Sequence, residues 1–310
     1  MRNEKNAPKP ITQADLSQFV QEESSFAFEM KVRELFAAKR FRYRHGGTYD
    51  DPHTGLPRQF DVTVDLNLSG AYIPFRLRMA IECKCLSEFA PMLVYRSPRS
   101  AYEAGHHVIA RTCGDRDAVE GYMQHHANPP KFSGGTGPFP ECCTLELPAS
   151  RCMYSSGEFV GKSIECVSKD RVGNFKGGDK EIYGRWSQAL QSASALLPNV
   201  TGDFYGNEKF VINWIIPILV VPDDRLYVVD FDDAGTQRGD PALTGRTSFF
   251  VDYKPTTISI DGPEFRFGHL EIMTFSALKN FVERATGEDS RIFVEEHISD
   301  QVCMNELSHF

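Results

Sequence analysis

Two runs of strict alternation stand out in the first hundred residues. Phe60, Val62, Val64 and Leu66 alternate with Asp61, Thr63, Asp65 and Asn67. Phe75, Leu77, Met79, Ile81 and Cys83 then alternate with Arg76, Arg78, Ala80, Glu82 and Lys84. A period of two sends successive side chains to opposite faces of a strand, so each run predicts a strand with two unlike faces. Asn67-Leu-Ser-Gly70 between them is a turn signal, and the simplest pairing is an antiparallel hairpin folded about residues 70–72. Folding it there sets Asp61 close to opposite Glu82, with Cβ atoms roughly 5 Å apart, near enough for two carboxylates to share a cation. Two acids and a lysine on one face are costly for folding unless something uses them.

Helical spacing flanks the hairpin. Thr12 followed by Asp15 predicts a short helix through about Glu22. Ser25 is the expected cap of a second helix over about 26–40, with Phe28, Val32, Leu35 and Phe36 as its apolar stripe and Glu29 beside it. Phe41 to His45 predicts a short strand, and Gly46-Gly47 opens a turn-rich loop. Asp179 to Leu197 predicts a helix ended by Pro198, with Trp186, Ala189, Leu190 and Ala193 at helical intervals. Phe210 to Val221 reads as a buried strand, bent or edged at Pro217. Shorter strands are expected over Arg225 to Phe231, Ser248 to Tyr253 and Thr257 to Ile260, and a late helix over Ser276 to Ala285. Residues 88–178 read as an insertion with small strands of its own, because a structureless loop of that length does not suit a compact domain.

Charge and cysteine content narrow the chemistry. The net charge of −8 argues against an indiscriminate nucleic-acid binder, but residues 1–100 hold 15 Lys+Arg against 12 Asp+Glu. Lys31, Arg33, Lys39, Arg40, Arg42 and Arg44 crowd ahead of the hairpin as a basic approach for a phosphodiester. The eight cysteines form no C-x-x-C pair, which argues against a zinc cluster and for reduced thiols in a cytoplasmic protein. The longest apolar run is too short to span a bilayer, and the first residues carry no apolar secretory segment. Gly157 to Ser163 approximates a phosphate loop but is one residue short of it. His106-His107 and His125-His126 are read as polar loop residues, and His269 with Glu271 as the polar face of a strand edge.

Helix, hairpin with Asp61 and then Glu82-Cys83-Lys84, helix, buried strand: this order resembles the PD-(D/E)xK, or restriction-endonuclease-like, nuclease superfamily. Arg58-Gln-Phe-Asp61 and Ala80-Ile-Glu-Cys-Lys84 look most like its Holliday-junction-resolvase and type IV restriction members, with Phe60 in place of the motif's proline. The resemblance covers about residues 25–87 and 179–232. It implies an α/β fold with an α-β-β-β-α-β core, a mixed central sheet flanked by helices, over residues 25–235. A leader over 1–24, the insertion at about 88–178 and an α+β extension over 236–310 complete the expected organisation.

The resemblance also implies Mg²⁺, with Mn²⁺ able to substitute, held by Asp61, Glu82 and the backbone carbonyl of Cys83. Glu29 is a further candidate ligand, Lys84 would hold and polarise the attacking water, and Gln188 would support the site. The expected substrate is nucleic acid, DNA by resemblance. The rival classes are a non-cleaving binding module and an assembly subunit that meets a second copy or a partner protein through its C-terminal half.

Overall fold

The computed structural model describes residues 10–22, 24–50, 55–68, 75–112, 142–147, 159–178, 180–202, 210–255 and 265–287. Helices α1 (Gln13–Glu22) and α2 (Ser25–Ala38) come first, followed by strands β1 (Arg42–Asp50), β2 (Pro57–Leu68), β3 (Phe75–Cys83) and β4 (Met92–Pro98). A single helical turn, α3 (Ala101–Ala104), leads into β5 (His106–Thr112), β6 (Cys142–Leu147), β7 (Phe159–Lys169) and β8 (Phe175–Gly178). The long helix α4 (Lys180–Gly202) precedes β9 (Phe210–Val221), β10 (Leu226–Phe231), β11 (Gln237–Leu243), β12 (Arg246–Tyr253), β13 (Phe267–Thr274) and the last described helix, α5 (Phe275–Thr286). The protein is thus mixed α/β, with a large sheet and few helices.

The main path of the sheet runs β1-β2-β3-β9-β13-β12-β7-β4-β10-β11. β1, β2 and β3 form an antiparallel meander, and β9 lies parallel to β3, with Ile81 beside Ile218. The segment read as an insertion does not stand apart. β4 and β7 pair with each other inside the sheet, against β10 and β12 respectively. The C-terminal segment is woven in as well, since β13 lies between β9 and β12.

The alternation predicted for β2 and β3 divides the hairpin between two layers. Val62, Val64, Leu66, Leu77, Met79 and Ile81 form one core with Phe28, Val32, Leu35 and Phe36 of α2 and with Leu278, Phe281 and Val282 of α5. On the opposite face, Ala80 packs with Leu190, Ala193 and Leu197 of α4. Both faces of β3 are therefore covered, and all nine of its residues are buried.

Several local expectations shift. The cap of α2 is Ser24, whose hydroxyl accepts from the Ala27 N–H, one residue earlier than expected. β1 continues through Gly46-Gly47 to Asp50, because the full length of β2 is there to pair with it. Helix α4 continues past Pro198 to Gly202: the proline forfeits one backbone hydrogen bond, but Leu197 and Val200 are buried and hold the last turn. Pro217 lies in an interior strand. β9 pairs with β5 through Asn213 and with β13 from Ile218, so Pro217 falls in the interval between them on that flank, where a residue without an N–H is tolerated. Thr257 to Ile260 and His125-His126 lie outside the described residues.

Candidate active site

The last ladder pair of β2 with β3 is Val62 with Ile81. Beyond it the strands part: β2 continues toward Pro57 against β1, while β3 continues to Cys83 against β9. Asp61 and Glu82 are the next residues on the two strands, and they share the α4 face with Thr63 and Ala80. Both are buried, Asp61 at 6% exposure and Glu82 at 0%. The Asp61 carboxylate spans the gap, its Oδ2 accepting from the Cys83 N–H at 2.8 Å. A side chain therefore replaces the ladder bond that the diverging backbones no longer make.

Lys84 follows as the chain leaves the sheet, and its N–H donates to the Val220 carbonyl at 2.9 Å. Two residues beyond Glu82, it continues the α4 face and is half-buried. Gln188 reaches from α4 to the same place, its side-chain amide donating to the Gln59 carbonyl two residues before Asp61. The structure thus brings Asp61, Glu82, Lys84 and Gln188 to one end of the hairpin, although they span 128 positions of sequence.

Glu29 does not join them. α2 packs on the opposite, apolar face of the hairpin, and the Glu29 carboxylate lies 3.8 Å from His45 Nε2, on a residue paired with Val62. A position beside the apolar stripe turned Glu29 toward the sheet, but toward the wrong face of it. Among the described residues no three His, Cys, Asp or Glu side chains gather closely enough to hold a metal ion. The candidate centre is therefore a two-carboxylate one. That set fits Mg²⁺, which is commonly held by one or two carboxylates and completes its shell with water and substrate phosphate.

The six basic residues of the expected approach are divided by the fold. Lys31 and Arg33 belong to α2, with the Lys31 ammonium 4.3 Å from the centre of the Phe275 ring and the Arg33 guanidinium 5.8 Å from that of Tyr43. Lys39 and Arg40 make the turn that follows, Arg40 with a φ of 57°. Arg42 and Arg44 lie opposite Asp65 and Thr63, hence on the carboxylate face, and both are exposed.

Gly46 was hidden from sequence reasoning by its resemblance to a loop residue. It is bracketed by the pairs His45–Val62 and Gly47–Phe60 and so stands across from Asp61, at a φ of 61°. A Cβ added there would have Gln59 Nε2 at 3.9 Å, so the Gln59 side chain lies beside Gly46 on the Asp61 flank.

Other polar candidates have structural roles. Gly161 lies in β7, not in a loop before a helix, where an added Cβ would come within 2.8 Å of Phe249 and 2.9 Å of Val94. His106 and His107 open a strand and are buried, instead of lying in a loop. They face opposite ways, His106 toward the Trp214 ring and His107 accepting from the Arg266 N–H at 3.2 Å. Glu271 is on an interior strand, not an edge, and its carboxylate accepts from Arg246 and from the Ser248 hydroxyl, each at 2.8 Å. His269 is buried and bonded through Nε2 to the Glu103 carbonyl; burial, with Arg99, His106 and Arg266 nearby, holds its pKa well below the ordinary histidine value. Among the described residues no helix is long and apolar enough to cross a membrane. No family model, curated protein or solved structure matches the chain.

Proposed function

We propose that this protein is a Mg²⁺-dependent endonuclease that hydrolyses phosphodiester bonds, with DNA as its substrate, in a restriction, repair or defence role. The observation that carries the reading is the bridge from the Asp61 carboxylate to the Cys83 N–H where β2 and β3 part, with Glu82 alongside. Two buried carboxylates in one gap repel each other, and a shared cation relieves that cost. The arrangement of α2, β1, β2, β3, α4 and β9, with β4 to β8 interposed before α4, is an antiparallel meander continued by a parallel strand with a helix on each face, and it supports a restriction-endonuclease-like core. Cys83, Cys85 and Cys166 are thiols and not disulfides, in keeping with a cytoplasmic setting.

In this reading Asp61, Glu82 and the Cys83 carbonyl hold the ion, which when bound activates water and offsets charge on the phosphate. Lys84 donates to the attacking water from the same face and orients it toward phosphorus. Gln188 fixes the β2 backbone at the parting, and through it the position of Asp61. A plasmid-nicking assay in Mg²⁺, Mn²⁺ and EDTA tests the assignment. Wild type nicks with either metal and not in EDTA; Asp61→Ala and Lys84→Met do not nick, and Lys84→Met still binds DNA. Undiminished nicking by Lys84→Met in Mg²⁺ overturns the mechanism. DNA binding without nicking by wild type replaces it with a non-cleaving module.

A further inference from the structure

The face of the hairpin that carries Asp61 and Glu82 continues sideways onto β1. Residues paired across an antiparallel ladder share a face, so Arg42 and Arg44, opposite Asp65 and Thr63, point to the same side as Asp61. α4 covers this face over β3 and β9, where Leu190, Ala193 and Leu197 meet Ala80 and Ile215. Over β1 the outward positions 42, 44, 48 and 50 are all exposed. Arg44 stands one place along this face from Gly46, the residue across from Asp61, and is the exposed cation of β1 nearest to it in the ladder. From Asp61 it is displaced about 6.8 Å along the strand direction and about 4.8 Å across to the next strand.

We infer that Arg42 and Arg44 are the substrate-backbone contacts of this site, so that a nucleic-acid strand approaches the carboxylates across the β1 edge. The inference rests on the nuclease reading and adds the direction of approach. Guanidinium groups suit the role, since their planar fork pairs with phosphate oxygens. Lys31 and Arg33, equally prominent in the sequence, belong to the helix behind the sheet and are assigned no part in it.

The test is equilibrium binding of a short fluorescein-labelled DNA duplex in EDTA, with plasmid nicking in Mg²⁺ run in parallel. Wild type is compared with Arg42→Ala/Arg44→Ala, with Arg42→Lys/Arg44→Lys and with Lys31→Ala/Arg33→Ala, all checked for unchanged melting. Loss of two phosphate contacts lowers the slope of log affinity against log salt by about 2 and weakens binding about tenfold or more. That result for the first variant, with the slope kept by the lysine pair and by Lys31→Ala/Arg33→Ala, supports the inference. If wild type binds and nicks but Arg42→Ala/Arg44→Ala keeps its slope, or both alanine pairs lose equally, the approach over β1 is wrong and the nuclease reading stands. If wild type neither binds nor nicks, the nuclease reading and the inference fall together.

Discussion

Replacing Asp61 by asparagine separates a metal-binding pair from an ordinary buried acid. The amide is nearly isosteric, and its oxygen still accepts from the Cys83 N–H that Asp61 bonds at 2.8 Å. What changes is charge. Two carboxylates about 5–8 Å apart in an effective dielectric near 20 repel by about 2–3 kcal/mol. For a chain of 310 residues, the usual unfolding entropy per residue turns 2–3 kcal/mol into a rise of about 3–5 °C in Tm. Asp61→Asn is therefore expected to melt above wild type in EDTA. Mg²⁺ reverses the order: at about 100 times its Kd the ion adds about 2.7 kcal/mol to wild type, or about 4 °C, and much less to a variant lacking one ligand. Differential scanning fluorimetry in EDTA and in MgCl₂, with KCl at matched ionic strength as control, reads both effects. An Asp61→Asn protein that melts below wild type in EDTA, or that gains as much from Mg²⁺, refutes the paired-carboxylate site.

Two further predictions concern the scaffold. His269 is held neutral in the folded protein, while the unfolded chain protonates it near the ordinary value of 6.5. Stability is therefore full above about pH 6.5 and falls by up to about 1.4 kcal/mol per pH unit below it, until the folded form also protonates. Urea midpoints between about pH 5 and 7.5 should fall less steeply for His269→Gln than for wild type; equal slopes would assign the acid sensitivity elsewhere. Gly161→Ala should cost about 1–3 kcal/mol, because the added methyl meets Phe249 and Val94 where β7 and β12 touch. A neutral substitution there would mean that this close approach is relaxed in solution.

The hairpin was legible because its period-two alternation needs nothing beyond neighbouring residues. The expected facing of Asp61 and Glu82 follows from the register of Val62 with Ile81, and Trp186, Ala189 and Leu190 marked the covering helix by their spacing. What misled was any feature whose meaning depends on a distant partner. Gly46-Gly47 has the composition of a loop, yet it is strand because β2 supplies a complete ladder beside it. Glu271 reads as an edge residue, yet β12 and β9 enclose its strand, and Arg246 offsets its charge from 25 positions away.

By itself, then, the sequence determined the local periods of the hairpin and of the helices flanking it, and that one strand face gathers Asp61, Glu82 and Lys84. The tertiary structure decided which helix lies over which face. A stripe such as Phe28, Val32, Leu35 and Phe36 buries equally well against any apolar surface, so its spacing cannot say that α2 lies behind the carboxylates and α4 over them. That choice removes Glu29, Lys31 and Arg33 from the site and brings Gln188 to it. It also leaves Arg42 and Arg44 exposed on the carboxylate face, because α4 lies chiefly over β3 and β9.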